Sequence, residues 1–231
     1  MAKKKDKQEK HAKRGCVLQS MFLICIISSF LLLIAMILMV IPQDTHDIEG
    51  YGEAVQGDEA RDLIAVLEES LERGHQVTLS EREINRWIGR TLEIEQKGLL
   101  GPMVNVDGLA LRLEEDLVEL VIERSFVGLK LTQSMYLQVL VESDDIRSNK
   151  QVQLHAGPLV KFVPLLKKGG RFGKLSVPQG YIHLVKPAFF QLGEVYEKEL
   201  NLIFRRMHDI QVKEGAIILK PKPERPDLIE I

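Results

Sequence analysis

The chain has 231 residues, with 31 Lys and Arg against 33 Asp and Glu, a formal charge of −2. Its two cysteines, Cys16 and Cys25, both fall in one apolar run, so a disulfide framework is excluded for everything after that run. The small net charge hides an asymmetry, about +5 in residues 1–14 and about −7 beyond them, which argues against nucleic-acid binding by the larger part.

Residues 1–15 form a basic tail carrying Lys3, Lys4, Lys5, Lys7, Lys10, Lys13 and Arg14. Residues 16–41 follow, and no charged residue occurs between Arg14 and Asp44. A helix crossing a bilayer needs about 20 mostly apolar residues, and this run exceeds that length. A secretory signal has a shorter apolar region of about 7–15 residues ending at a small-x-small site. The sequence after Ile41, Pro42-Gln43-Asp44-Thr45-His46, offers no such site, so the run is expected to be an uncleaved transmembrane signal anchor. The first basic residue after it is Arg61, behind six acidic residues. The positive-inside bias therefore predicts a cytoplasmic N-terminus in an inner or plasma membrane and a periplasmic or extracellular C-terminal part.

Residues 42–57 mix acids, glycines and isolated apolar residues without a period, as a linker does. An exterior domain is then expected over 58–220. Ala60, Leu63, Ile64, Leu67 and Leu71 recur at helical steps over 58–73 and stop at Gly74. After the link 75–79, Ser80-Glu81-Arg82-Glu83 fits a capping box and opens a second helix burying Ile84, Trp87 and Ile88. From Val104 the period becomes two. Strands are predicted around Asp107-Gly108, a hairpin-type dipeptide, over 117–124 and over 130–141, where Leu131, Met135, Leu137, Val139 and Val141 share one face. Val152 and Leu154 continue the pattern. Short turns between these strands predict an antiparallel meander with one buried face.

Residues 161–174 are basic and glycine-rich, and a solvated loop is expected there. Their cations Lys167, Lys168, Arg171 and Lys174 are the candidates for contact with lipid head groups, although no P-loop or similar anion-binding pattern is present. Residues 175–180 and 181–184 suggest short strands, with Pro187 opening a helix. Over 189–207 one apolar stripe includes Phe189, Leu192, Tyr196, Ile203 and Met207. Phe189, Phe190, Leu192, Tyr196 and Ile203 are the candidate ligand-lining residues. Ile210 and Val212, then Gly215, Ile217 and Leu219, predict a closing hairpin before a mobile Pro-rich tail, 221–231.

Catalytic signatures are missing from the sequence. The six histidines are scattered and form no HExxH or other metal spacing, and no G-x-S-x-G elbow occurs. The acidic pairs Glu114-Glu115 and Asp144-Asp145 fall at turns. No catalytic residue, metal or cofactor is assigned, and the expectation is a protein that is not an enzyme.

Leu79-Ser80-Glu81-Arg82-Glu83-Ile84-Asn85, Gly173-Lys174-Leu175-Ser176-Val177-Pro178 and Ile210-Gln211-Val212-Lys213-Glu214-Gly215-Ala216-Ile217-Ile218-Leu219, behind an anchor helix, resemble the YpmS-like group of single-pass bacterial proteins. More remotely they are similar to envelope proteins of the LmeA type. The resemblance covers roughly residues 75–221. It implies an α+β exterior domain with a curved antiparallel sheet packed against amphipathic helices, and a lipid or other amphiphile as ligand. The alternative function is that of a structural or scaffolding subunit binding other envelope proteins. Beyond the membrane and these partners, no nucleic acid is expected.

Overall fold

The computed structural model describes residues 2–53, 62–92, 104–143 and 148–222. It is α+β, with two antiparallel sheets. The first helix, α1 (Ala2–Val40), contains the stretch Gln19–Val40, the one helix among the described residues long and apolar enough to cross a membrane. No part of that stretch is buried inside the protein.

After α1 comes α2 (Leu63–Arg73), which starts where the Asp62 side chain accepts from the Ile64 N–H at 3.0 Å and stops at Gly74 with φ 65°. The predicted helix began at 58, but residues 54–61 lie outside the described residues. The link at 75–79 contains a strand, β1 (Val77–Ser80). Next, α3 (Glu81–Thr91) carries the expected capping box: Ser80 Oγ accepts from the Glu83 N–H, and Glu83 accepts from the Ser80 N–H at 2.9 Å.

The strands that follow are β2 (Val104–Glu114), β3 (Leu117–Phe126), β4 (Leu129–Ser143), β5 (Ser148–Gln153), β6 (Pro158–Val160), β7 (Val163–Phe172) and β8 (Leu175–Pro178). They form a curved antiparallel sheet ordered β2-β3-β4-β7-β6, with β5 added to β4 and β8 to β7. A 3₁₀ turn (Gln179–Tyr181) leads into α4 (Ile182–Val195) and α5 (Glu197–Asn201). A π-helical turn (Leu202–Arg206) then delivers the chain to β9 (Met207–Lys213) and β10 (Ala216–Pro221). These two strands form the expected hairpin around Gly215, and β1 joins β10 to complete a three-stranded sheet.

Several expectations need correction. Asp107-Gly108 is a bulge within one strand and not a hairpin, because the register slips between Val106 and Gly108, and the Tyr51 hydroxyl occupies the place a Cβ on Gly108 would take. Within 161–174, residues 163–172 are not a loop. Gly169 and Gly170 let β7 approach the backbone of Gln179 and the carbonyl of Ser134 more closely than a Cβ would permit, which turns a run that looks like loop into a strand. Residues 181–184 are helical, since Ile182, Val185, Phe189 and Leu192 are buried at helical steps, and Pro187 lies inside α4 and does not open it. The helix predicted over 189–207 is broken at Tyr196 (φ −103°, ψ 28°), and Met207 already belongs to β9.

The linker predicted over 42–57 is also corrected for its described part. Gln43 and Ile48 are buried, and Ile48 packs on Ala110 and Val121 beside Tyr51. At the other end, Pro221 still pairs with Met207 in β10, while the rest of the predicted tail, 223–231, lies outside the described residues.

Candidate functional site

A side chain's face on the large sheet follows from strand alternation. Leu109, Leu111, Val118, Leu120, Met135, Leu137 and Val139 face one side and line an apolar cavity of about 320 Å³. The small sheet contributes Leu79, Ile210, Val212, Ile217 and Leu219 to the same wall. Trp87 and Ile88 from α3 complete it with Phe189, Leu192 and Gly193 from α4. The indole of Trp87 lies against the ring of Tyr196, with centroids 5.5 Å apart.

Among the described residues, Glu199 is the one charged side chain on this wall. The cavity reaches solvent where Val152 of β5 and Leu200 of α5, both wall residues, are exposed. Beside that opening Lys150 ties β5 to the π-helical turn: its Nζ donates to the carbonyls of Phe204 at 2.8 Å and Ile203 at 3.3 Å, and to that of Met207. Burial, with help from nearby Lys222, lowers the pKa of this ammonium.

Four of the five predicted lining residues, Phe189, Leu192, Tyr196 and Ile203, are on the cavity wall. Phe190 is not, and it is 58% exposed. On a helix with Phe189 facing inward its neighbour is turned by about 100°, from the 3.6-residue period, and points away. The cations predicted to contact head groups lie off the cavity wall. Arg171 donates through Nε to the Tyr136 hydroxyl at 2.6 Å and pairs with Glu119 at 3.3 Å, and Lys168 sits 4.6 Å over the Tyr136 ring. Both therefore belong to the sheet's other face. Lys167 is on β7 and off the cavity wall. Lys174 lies at the end of α1, where its N–H donates to the carbonyls of Leu38 and Ile41.

That other face is polar yet closed. Glu119 is 0% exposed and pairs with Arg112 while accepting from Ser134 Oγ at 2.6 Å. Arg112 in turn donates to Asp47 and to the Asp44 carbonyl, both at 2.8 Å, so the segment after α1 forms part of the network. Burial lowers the pKa of this guanidinium, but Glu119 and Asp47 outweigh it and hold the group above its ordinary value.

Two residues of the Leu79–Asn85 motif seal the edge of the sheet. Glu81 accepts from the N–H groups of Leu113 at 2.6 Å and Glu49 at 2.8 Å. Asn85 accepts from the Leu111 N–H at 2.7 Å and donates to the Leu111 carbonyl at 2.8 Å. An edge strand left with open backbone groups invites foreign pairing, and here two side chains one helical turn apart occupy them. Their i, i+4 spacing on a helix beside a strand was the one available sequence signal.

Among the described residues no group of His, Cys, Asp or Glu is arranged to hold a metal ion. Compared with protein-family models and with curated proteins, the chain matches none.

Proposed function

We propose that this is a single-pass cell-envelope protein whose exterior domain holds the apolar part of a lipid or other amphiphile, without catalysis. Its N-terminus lies in the cytoplasm, and the amphipathic helices pack over the curved sheet to close the binding site. The observation that supports this reading is the size and lining of the cavity. Ligand sites are concave, mostly apolar and about 300–1,000 Å³ in volume, and this one, at about 320 Å³, has a single charged wall residue. Acyl chains filling the cavity would take its apolar wall out of contact with water, which is favourable. The resemblance to YpmS-like and LmeA-type proteins points the same way. Of the four cations proposed for head-group contact, Lys174 is the best placed, beside the end of the anchor.

Gly193 supplies the test. It lines the cavity, and a Cβ there meets nothing within 4 Å. Gly193→Phe, whose Cβ has room, should therefore fill part of the site. Full-length protein extracted in detergent should yield an amphiphile by mass spectrometry that the plugged variant lacks, and equal lipid content in both would count against the cradle.

The second reading is a scaffolding subunit. Phe162 and Leu165, 87% and 93% exposed on the β6–β7 hairpin, favour it, because large exposed apolar groups mark contact surfaces.

A further inference from the structure

The turn joining β3 to β4 is chemically out of place. Phe126 pairs with Leu129, leaving Val127 and Gly128 as a two-residue loop with φ of 49° and 80°. Loops of this kind with both φ positive favour Asn-Gly or Asp-Gly, and a β-branched residue there is a true outlier. Val127 accepts this backbone conformation while 75% exposed, and Phe126 and Leu129 beside it are exposed as well. Neither core packing nor turn geometry accounts for valine at this position.

Its place in the fold suggests what does. Thr132 is where three parts of the chain meet: its carbonyl accepts from the Gly173 N–H at 2.8 Å, and its Oγ1 accepts from the Gln43 N–H at 2.8 Å. The next residue of that turn, Lys174, donates to the carbonyls of Leu38 and Ile41 at the end of α1. Leu129 lies three residues along the strand from Thr132, about 10 Å at β-strand rise. The exposed Phe162 precedes the far end of β7, whose ten residues separate it from Gly173 by about 35 Å. Among the described residues, of the two exposed apolar hairpin tips only the β3–β4 tip is next to the end of the anchor. Of the first charges behind it, Lys130 on β4 is paired with Glu123 at 2.8 Å, and Arg124 on β3 is half-buried in the sheet.

We propose that the β3–β4 tip is a second membrane contact, with Phe126, Val127 and Leu129 seated in the interface of the bilayer that α1 crosses. This rests on α1 spanning that bilayer and is independent of what fills the cavity. The tip gives the domain a second point of contact and so fixes its tilt on the membrane.

The test uses the full chain with Cys16→Ser and Cys25→Ser, bearing an environment-sensitive fluorophore on one introduced cysteine. The sites are Phe30→Cys, Val127→Cys, Leu129→Cys and Phe162→Cys, in phosphatidylcholine–phosphatidylglycerol vesicles containing lipids spin-labelled on the acyl chain. Labels at 30, 127 and 129 should be blue-shifted and quenched, and the label at 162 should be neither. Quenching at 30 with none at 127 and 129 overturns the tip contact while leaving the anchor intact. No quenching at 30 removes the anchor, and the proposal with it. Quenching at 162 equal to that at 127 also overturns it, because the contact would then not be confined to the anchor end. Val127→Asn, which suits the turn, should keep the unfolding midpoint at or above that of the parent yet abolish quenching of the label at 129. Retained quenching in that variant would contradict a membrane role for Val127.

Discussion

On one face of the large sheet Leu109, Met135 and Leu137 border an apolar cavity; on the other, Glu119, Thr132 and Ser134 are almost wholly inaccessible, and each has a hydrogen-bond partner. The apolar face leaves space and the polar face is filled. Apolar contacts are non-directional, so a wall of Leu, Val and Ile tolerates a void that a flexible ligand can fill. A buried carboxylate is costly unless its partners are held in place. The polar face must therefore be rigid, and the segment after α1 is part of what holds it.

The largest expected effect comes from breaking the polar face. Glu119→Ala leaves Arg112 buried with only part of its compensation, and removing one partner of such a pair costs about 3–5 kcal/mol. Denaturant unfolding of the variant should show a loss of that size. A fragment covering 58–231 should be less stable than one covering 42–231 by at least about 2 kcal/mol, the worth of one buried Ile, because Ile48 is removed and the outer face is uncovered. Matched thermal melts of the two fragments check this, and equal midpoints would make residues 42–53 a mere linker.

On the hollow face the effects should be smaller. Phe189→Ala should cost less than the about 3–5 kcal/mol of a packed Phe, because one side of its ring borders the cavity, and it should lower the amount of bound amphiphile. Phe190→Ala should change neither quantity measurably, and paired unfolding and lipid-content measurements separate the two. Ser80→Ala, which removes the α3 cap, should cost about 1 kcal/mol without changing ligand content.

The smallest effect concerns pH. Burial raises the pKa of Glu123, but its bonds to Lys130 and Tyr51 outweigh this and hold it below the usual carboxylate value. A carboxylate with a lowered folded-state pKa stabilises fully above its unfolded pKa and loses that contribution as pH falls through the folded value. Glu123→Gln should lower the melting midpoint near neutrality and flatten its fall in the acid range, leaving the two proteins alike at low pH.

Alternation made the cavity-facing residues Met135, Leu137 and Val139 legible in the sequence, and the capping box at Ser80 could be read directly. The closed polar face was not legible. Thr132, Ser134 and Glu119 look like the solvated half of a half-buried sheet, and only the fold shows that residues 43–51 cover them. Local patterns record which side chains alternate, but not which distant segment lies on top. Gly169 and Gly170 misled for a related reason, since close approach by distant backbone and loop flexibility call for the same residue. The 189–207 stripe kept helical spacing through its buried positions although the backbone changes course at Tyr196, so residue type located the wall of the cavity but not the break in the helix.

The most direct test of the cradle uses the single tryptophan, Trp87, which lies on the cavity wall. The full chain in phosphatidylcholine nanodiscs is titrated with a fatty acid brominated along its acyl chain while Trp87 emission is followed. Saturable quenching that disappears in Gly193→Phe is the expected result; no quenching, or the same quenching in the plugged variant, would contradict an acyl chain in this cavity.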